Sequence, residues 1–146
     1  MLMRIYKVII FLVLLSALVG IRMAEEQLFY DPFLKYFKAA DKNEIFPSFE
    51  WLPLVASHFF RFILNLLVSV ALVQLLFMNR AWTVQAAALM VMVFLITFPL
   101  YLYCVYTNFE VGYLFSFYMR RFVIQPLILL LIVPLFYYRK LLLRAR

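Results

Sequence analysis

Apolar residues in this chain come in four long blocks, and the polar stretches between them are sorted by charge. The first block follows Arg4 and Lys7 and covers about 5–21. The second covers about 54–78, the third about 83–106 and the fourth about 119–138. A helix needs about 20 residues, with a floor near 17, to cross a hydrocarbon core of about 30 Å. Every block reaches that length. The pattern therefore predicts one membrane domain over 1–146 with four transmembrane helices, and segments 22–53 and 107–118 together on one side of the lipid. Asn79, Arg80 and Trp82 leave so tight a turn after the second block that the helices on either side must be antiparallel neighbours. The expected fold class is all-α, an integral membrane four-helix bundle with a short interfacial external helix.

That external helix is read at Asp31-Pro32, where Asp can cap and Pro fits the first helical position. Phe33, Leu34 and Phe37 then share one face, with Lys35, Lys38 and Lys42 left for solvent or headgroups. Such a helix either lies in the membrane interface or packs on the outer ends of the spans. Pro47 and Pro53, with Trp51 between them, are expected to end the segment, and a Trp at this position is an interfacial anchor. Pro99 is expected to kink the third span, and Tyr101, Tyr103 and Tyr106 to form an aromatic girdle at its outer end. The first span also fits a cleaved signal peptide. Leu18-Val19-Gly20 is a poor cleavage site, however, which favours an uncleaved anchor.

Composition strengthens the membrane reading. Hydrophobic residues make up 68% of the 146, against about 45–50% in soluble domains. A chain this short has no aqueous core large enough to hide that excess. The net charge of +7 is topological. All seven acids fall in the two inter-span segments, whereas Arg4, Lys7, Arg80, Arg139, Lys140 and the tail arginines lie at the opposite span ends. Basic residues beside span ends mark the cytoplasmic side, so both termini are expected there and a nucleic-acid partner is not. One cysteine and one histidine leave no disulfide and no metal cluster, and two glycines leave no phosphate-cradling loop. No cofactor is expected. The blocks hold no acid, which removes the usual means of proton or sodium coupling.

The candidate functional residues are the polar ones inside or beside the blocks. His58, Arg61 and Asn65 are spaced i, i+3, i+7 and make one polar stripe about 10 Å long on a helix. Arg61 has three readings: a snorkelling side chain that holds lipid phosphate or an acid such as Glu50, a contact for a partner or peptide, or a catalytic group. Arg121-Phe122-Val123-Ile124-Gln125 echoes Arg61-Phe62-Ile63-Leu64-Asn65 at an offset of 60, with Tyr118 in the place of His58, a faint hint of repeated hairpins. With or without a repeat, Arg61, Arg120 and Arg121 are expected to gather at the outer end as a basic mouth. No catalytic residue is assigned. The alternative is a cysteine nucleophile at Cys104, with His58 and Arg61 at a similar depth. A further alternative is a structural protein whose arginines hold membrane lipid.

Several strings carry a resemblance: Glu26-Gln27-Leu28-Phe29-Tyr30-Asp31-Pro32-Phe33, the Arg61 to Asn65 pattern, and Phe117-Tyr118-Met119-Arg120-Arg121-Phe122-Val123-Ile124-Gln125-Pro126. With the four-span layout, they make the chain similar to the exosortase F system-associated proteins, small proteins of the bacterial inner membrane encoded beside an exosortase. The resemblance implies an accessory to protein sorting with an exosortase or another membrane protein as partner, and carries over no catalytic residues. Exosortases themselves use a membrane-embedded Cys with Arg and His. Here Cys104 sits in Leu102-Tyr103-Cys104-Val105-Tyr106, without the small residues expected around that nucleophile. The residues expected to meet a partner or lipid are His58, Arg61, Asn65, Arg120, Arg121 and Gln125.

Overall fold

Two consecutive residues explain where the second apolar block turns into the third. Met78 takes a left-handed backbone (φ 51°) that ends one helix, and the Asn79 side chain accepts from the amides of Ala81 (3.0 Å) and Trp82 (3.4 Å) to start the next. An asparagine oxygen in that position satisfies amides that have no helical acceptor of their own. The computed structural model describes residues 1–29, 33, 36, 48–124 and 127–146, and all regular structure among them is helical. Helix α1 is Leu2–Met23, followed by a single turn, α2, at Glu25–Leu28. Helix α3 is Trp51–Phe77, α4 is Arg80–Tyr106, α5 is Tyr113–Ile124 and α6 is Leu127–Ala145.

Helices α1, α3 and α4 are each long and apolar enough to cross a bilayer. At 27 residues, α3 and α4 are about 40 Å long and overreach a core of about 30 Å. They extend past the apolar blocks for local reasons. Pro53 does not end the preceding segment. It sits in the first turn of α3, where no amide has a helical partner to lose.

The fourth crossing differs from the single helix expected over 119–138. The stretch is divided between α5 and α6, which bend by 61°, so a fourth span exists only if the two count as one broken crossing. Gln125 and Pro126 lie outside the described residues. A proline in that interval lacks the amide an unbroken helix would use, and it disfavours helical backbone in the residue before it.

Helices α3 and α4 form the centre, α1 packs on α3, and α5 and α6 each touch both central helices. Phe62 and Phe94 stack across α3 and α4 with ring centres 3.9 Å apart. Two apolar clusters result. One gathers Leu54, Phe98, Tyr101 and Val105, the other Val73, Trp82, Ile132 and Phe136. Helix α1 has no fully buried residue: Phe11, Leu14 and Leu18 are half-buried against the core, and most of its other apolar side chains face outward. A helix apolar on every side belongs in lipid.

One sequence expectation is narrowed and two are revised. Of the expected interfacial helix, only Phe33 and Tyr36 are described. Both are helical, and Phe33 is fully buried, its ring 5.2 Å from those of Phe49 and Phe109. These two residues pack on the span ends, one of the two placements open to such a helix; Asp31, Pro32, Leu34, Lys35, Phe37, Lys38, Lys42 and Pro47 lie outside the described residues. Tyr103 and Tyr106 are exposed as a girdle requires, but Tyr101 is fully buried. The suggested repeat fails by register: Arg61 and His58 are buried, whereas Arg121 and Tyr118 are exposed.

Candidate functional site

The four expected spans pair their ends so that charge is sorted in space. Lys7 Nζ donates to Met78 Sδ at 2.9 Å, which holds the start of α1 at the α3–α4 turn. Arg139 donates to Gln85 Oε1 at 3.0 Å, and its guanidinium lies 5.2 Å from the Trp82 ring centre. Lys7 and Lys140 border one hollow with Met78. Arg80 begins α4 beside them, so this end of the molecule is basic.

Counting from that end sets the level of the polar residues. Arg61 is about 25 Å along α3 from Met78, and Glu25 about 27 Å from Lys7, at about 1.5 Å per residue. The two reach one level and form an ion pair, Arg61 Nη2 donating to Glu25 Oε2. A core of about 30 Å places this pair near its far boundary, where headgroups begin. The side chains are 3% and 13% exposed. The Phe29 ring covers the guanidinium at 4.8 Å. Helix α1 thus carries an acid, through α2, to the arginine of α3. Low exposure makes that charge balance necessary, because a buried charge without a partner is costly.

The stripe read from the sequence is real and longer than expected. His58, Arg61 and Asn65 are all buried on α3, and Ser69, fully buried, continues the same face toward mid-membrane. His58 Nδ1 lies 2.8 Å from the Leu54 carbonyl oxygen. A carbonyl only accepts, so the ring proton there is on Nδ1. The imidazole is enclosed by Tyr101 (5.2 Å) and Phe98 (6.2 Å). Arg120 is also buried, on the face of α5 that carries Ser116 and Val123. Arg121 is exposed, and Gln125 lies outside the described residues.

The expected basic mouth is therefore not built from three equivalent arginines. Arg61 is paired with Glu25, Arg120 is enclosed, and Arg121 faces outward with Tyr118 and Phe122. Arg61 holds an acid, as one of its three readings expected, and Glu25 supplies it. Cys104 is fully buried within the cluster of Phe98, Tyr101 and Val105, and its carbonyl accepts from Phe109 N (2.8 Å) and Thr107 Oγ1 (3.1 Å). Its carbonyl thus closes the end of α4, and its thiol is enclosed by the surrounding apolar side chains.

Sequence reasoning missed Glu25, Ser69 and Arg22, which borders the same end. Ser69 was within reach, as the position four after Asn65. Glu25 was not, because its partner depends on how α1 lies against α3. No protein-family model, curated protein or solved structure matches the chain.

Proposed function

We propose that this chain is a non-catalytic accessory protein of a bacterial inner membrane, with both termini in the cytoplasm, that docks an exosortase-type sorting enzyme or its substrate at the end opposite its basic one. The observation that carries the reading is the division of labour at that end. His58, Arg61, Asn65 and Arg120 are buried, with Arg61 tied to Glu25, while α5 turns Tyr118, Arg121 and Phe122 outward. Between proteins in lipid, apolar area alone gives no preference over the bilayer, so register must come from polar contacts and close packing. Aromatic residues and arginine are the side chains that most often dominate binding energy at protein interfaces. The basic end, with Lys7, Arg80 and Arg139, follows the charge rule for the cytoplasmic face.

The test is capture of an exosortase-type enzyme with this protein when it is purified from its native membrane. Tyr118→Ala with Arg121→Ala should lower the captured enzyme about tenfold or more, because both side chains are exposed on the proposed docking face. Cys104→Ala should capture as the parent does. Undiminished capture by the double variant, with an unchanged elution profile of the folded protein, contradicts the proposal.

A further inference from the structure

Helices α1, α3 and α6 do not close on one another beside the ion pair. They leave a cavity of about 210 Å³. Its walls include Leu15 and Leu18 of α1 and Leu127 and Leu130 of α6, and its polar end is made by Arg22, Glu25, Arg61 and Asn65. Leu130 is 70% exposed, so the space communicates with the lipid side of the molecule.

The size decides between occupants. A single water needs roughly 10–15 Å³ of such space, and an apolar cavity of about 150 Å³ takes a benzene-sized molecule. A partner helix about 10 Å across would fit by about one turn at most. A single acyl chain is narrow enough to enter lengthwise and leave its remainder among the bulk lipid. Charge decides the head. Among the described residues that line the cavity, Arg22 and Arg61 stand with one carboxylate, Glu25, which makes that lining net positive. Arg22 is exposed in the last turn of α1 and has no partner among the described residues. The level of the pair, about 25 Å from the basic end, is that of lipid headgroups. The apolar walls cannot select a ligand in a bilayer, since lipid tails are as apolar as leucine. Selection therefore falls to the head.

We propose that this cavity is a site for an anionic phospholipid, one acyl chain lying between α1, α3 and α6 and the headgroup phosphate held by Arg22 in the field of Arg61. The site stands whether or not the chain docks a sorting enzyme. Glu25 acts in it as a brake: it balances Arg61 for folding and repels the phosphate.

The experiment is native mass spectrometry of the whole detergent-purified chain with added phosphatidylglycerol, phosphatidylcholine of the same chains, or inorganic phosphate. Phosphatidylglycerol should be retained in preference to phosphatidylcholine. Arg22→Gln should lower that preference roughly fivefold, as loss of one basic contact with an anionic lipid surface does. Glu25→Gln should raise it. Leu18→Trp, which fills the cavity, should lower retention of both lipids. Equal retention of the two lipids, or a preference untouched by Arg22→Gln, overturns the proposal. Displacement of the lipid by inorganic phosphate overturns the acyl-chain part. If Glu25→Gln does not fold, Arg22→Gln decides alone, because that side chain is exposed and packs nothing.

Discussion

Glu25 gives Arg61 an opposite charge at a position with little access to water. Taking one charge away leaves the other with poor access to water, and this is worse than removing both. Glu25→Ala should therefore destabilise the protein by about 1–3 kcal/mol, the range for stranding a buried polar group. Glu25→Leu with Arg61→Leu should recover most of that loss. Thermal unfolding of the three variants in one detergent measures both effects. A double variant no more stable than Glu25→Ala would mean that the pair does not act as a unit. His58 illustrates a different residue-scale solution: its Nδ1 proton is spent locally on the Leu54 carbonyl, so its ring packs between Tyr101 and Phe98 as a flat, mostly apolar body.

At the scale of elements, the turn between α3 and α4 is the clearest local device. Asn79→Ala removes the acceptor for the Ala81 and Trp82 amides and should cost about 1 kcal/mol. An unchanged unfolding temperature would assign the turn to packing of α3 on α4 instead. The helices α1, α3 and α4 were legible in the sequence because a long apolar run has few alternatives in lipid. Their ends were less so: Pro53 reads as a stop, yet it sits harmlessly in a first turn. The fourth run reads as a single span, and apolar length alone does not show the bend between α5 and α6. Which arginine faces inward was also beyond reach. Arg120 and Arg121 are adjacent, and only the packing of α5 on α3 and α4 decides that Arg120 is enclosed and Arg121 exposed. The stripe of His58, Arg61 and Asn65, by contrast, was readable from spacing, since polar residues among apolar ones on one helical face have to be sheltered by neighbours.

For the molecule as a whole, the sorting of charge is the organising fact. Lys7, Arg80, Arg139 and Lys140 crowd one end, and the Glu25–Arg61 pair lies about 25 Å away, close to the thickness of a hydrocarbon core. The docking surface and the lipid site both presuppose that these two ends face opposite sides of a membrane. Single cysteines placed at Arg80 and at Glu110, both exposed and separated by the whole of α4, test this most directly in a Cys104→Ala background. With a membrane-impermeant thiol reagent on intact cells, the cysteine at 110 should label at once and the cysteine at 80 only after the membrane is opened. Labelling of both from the same side would contradict the account.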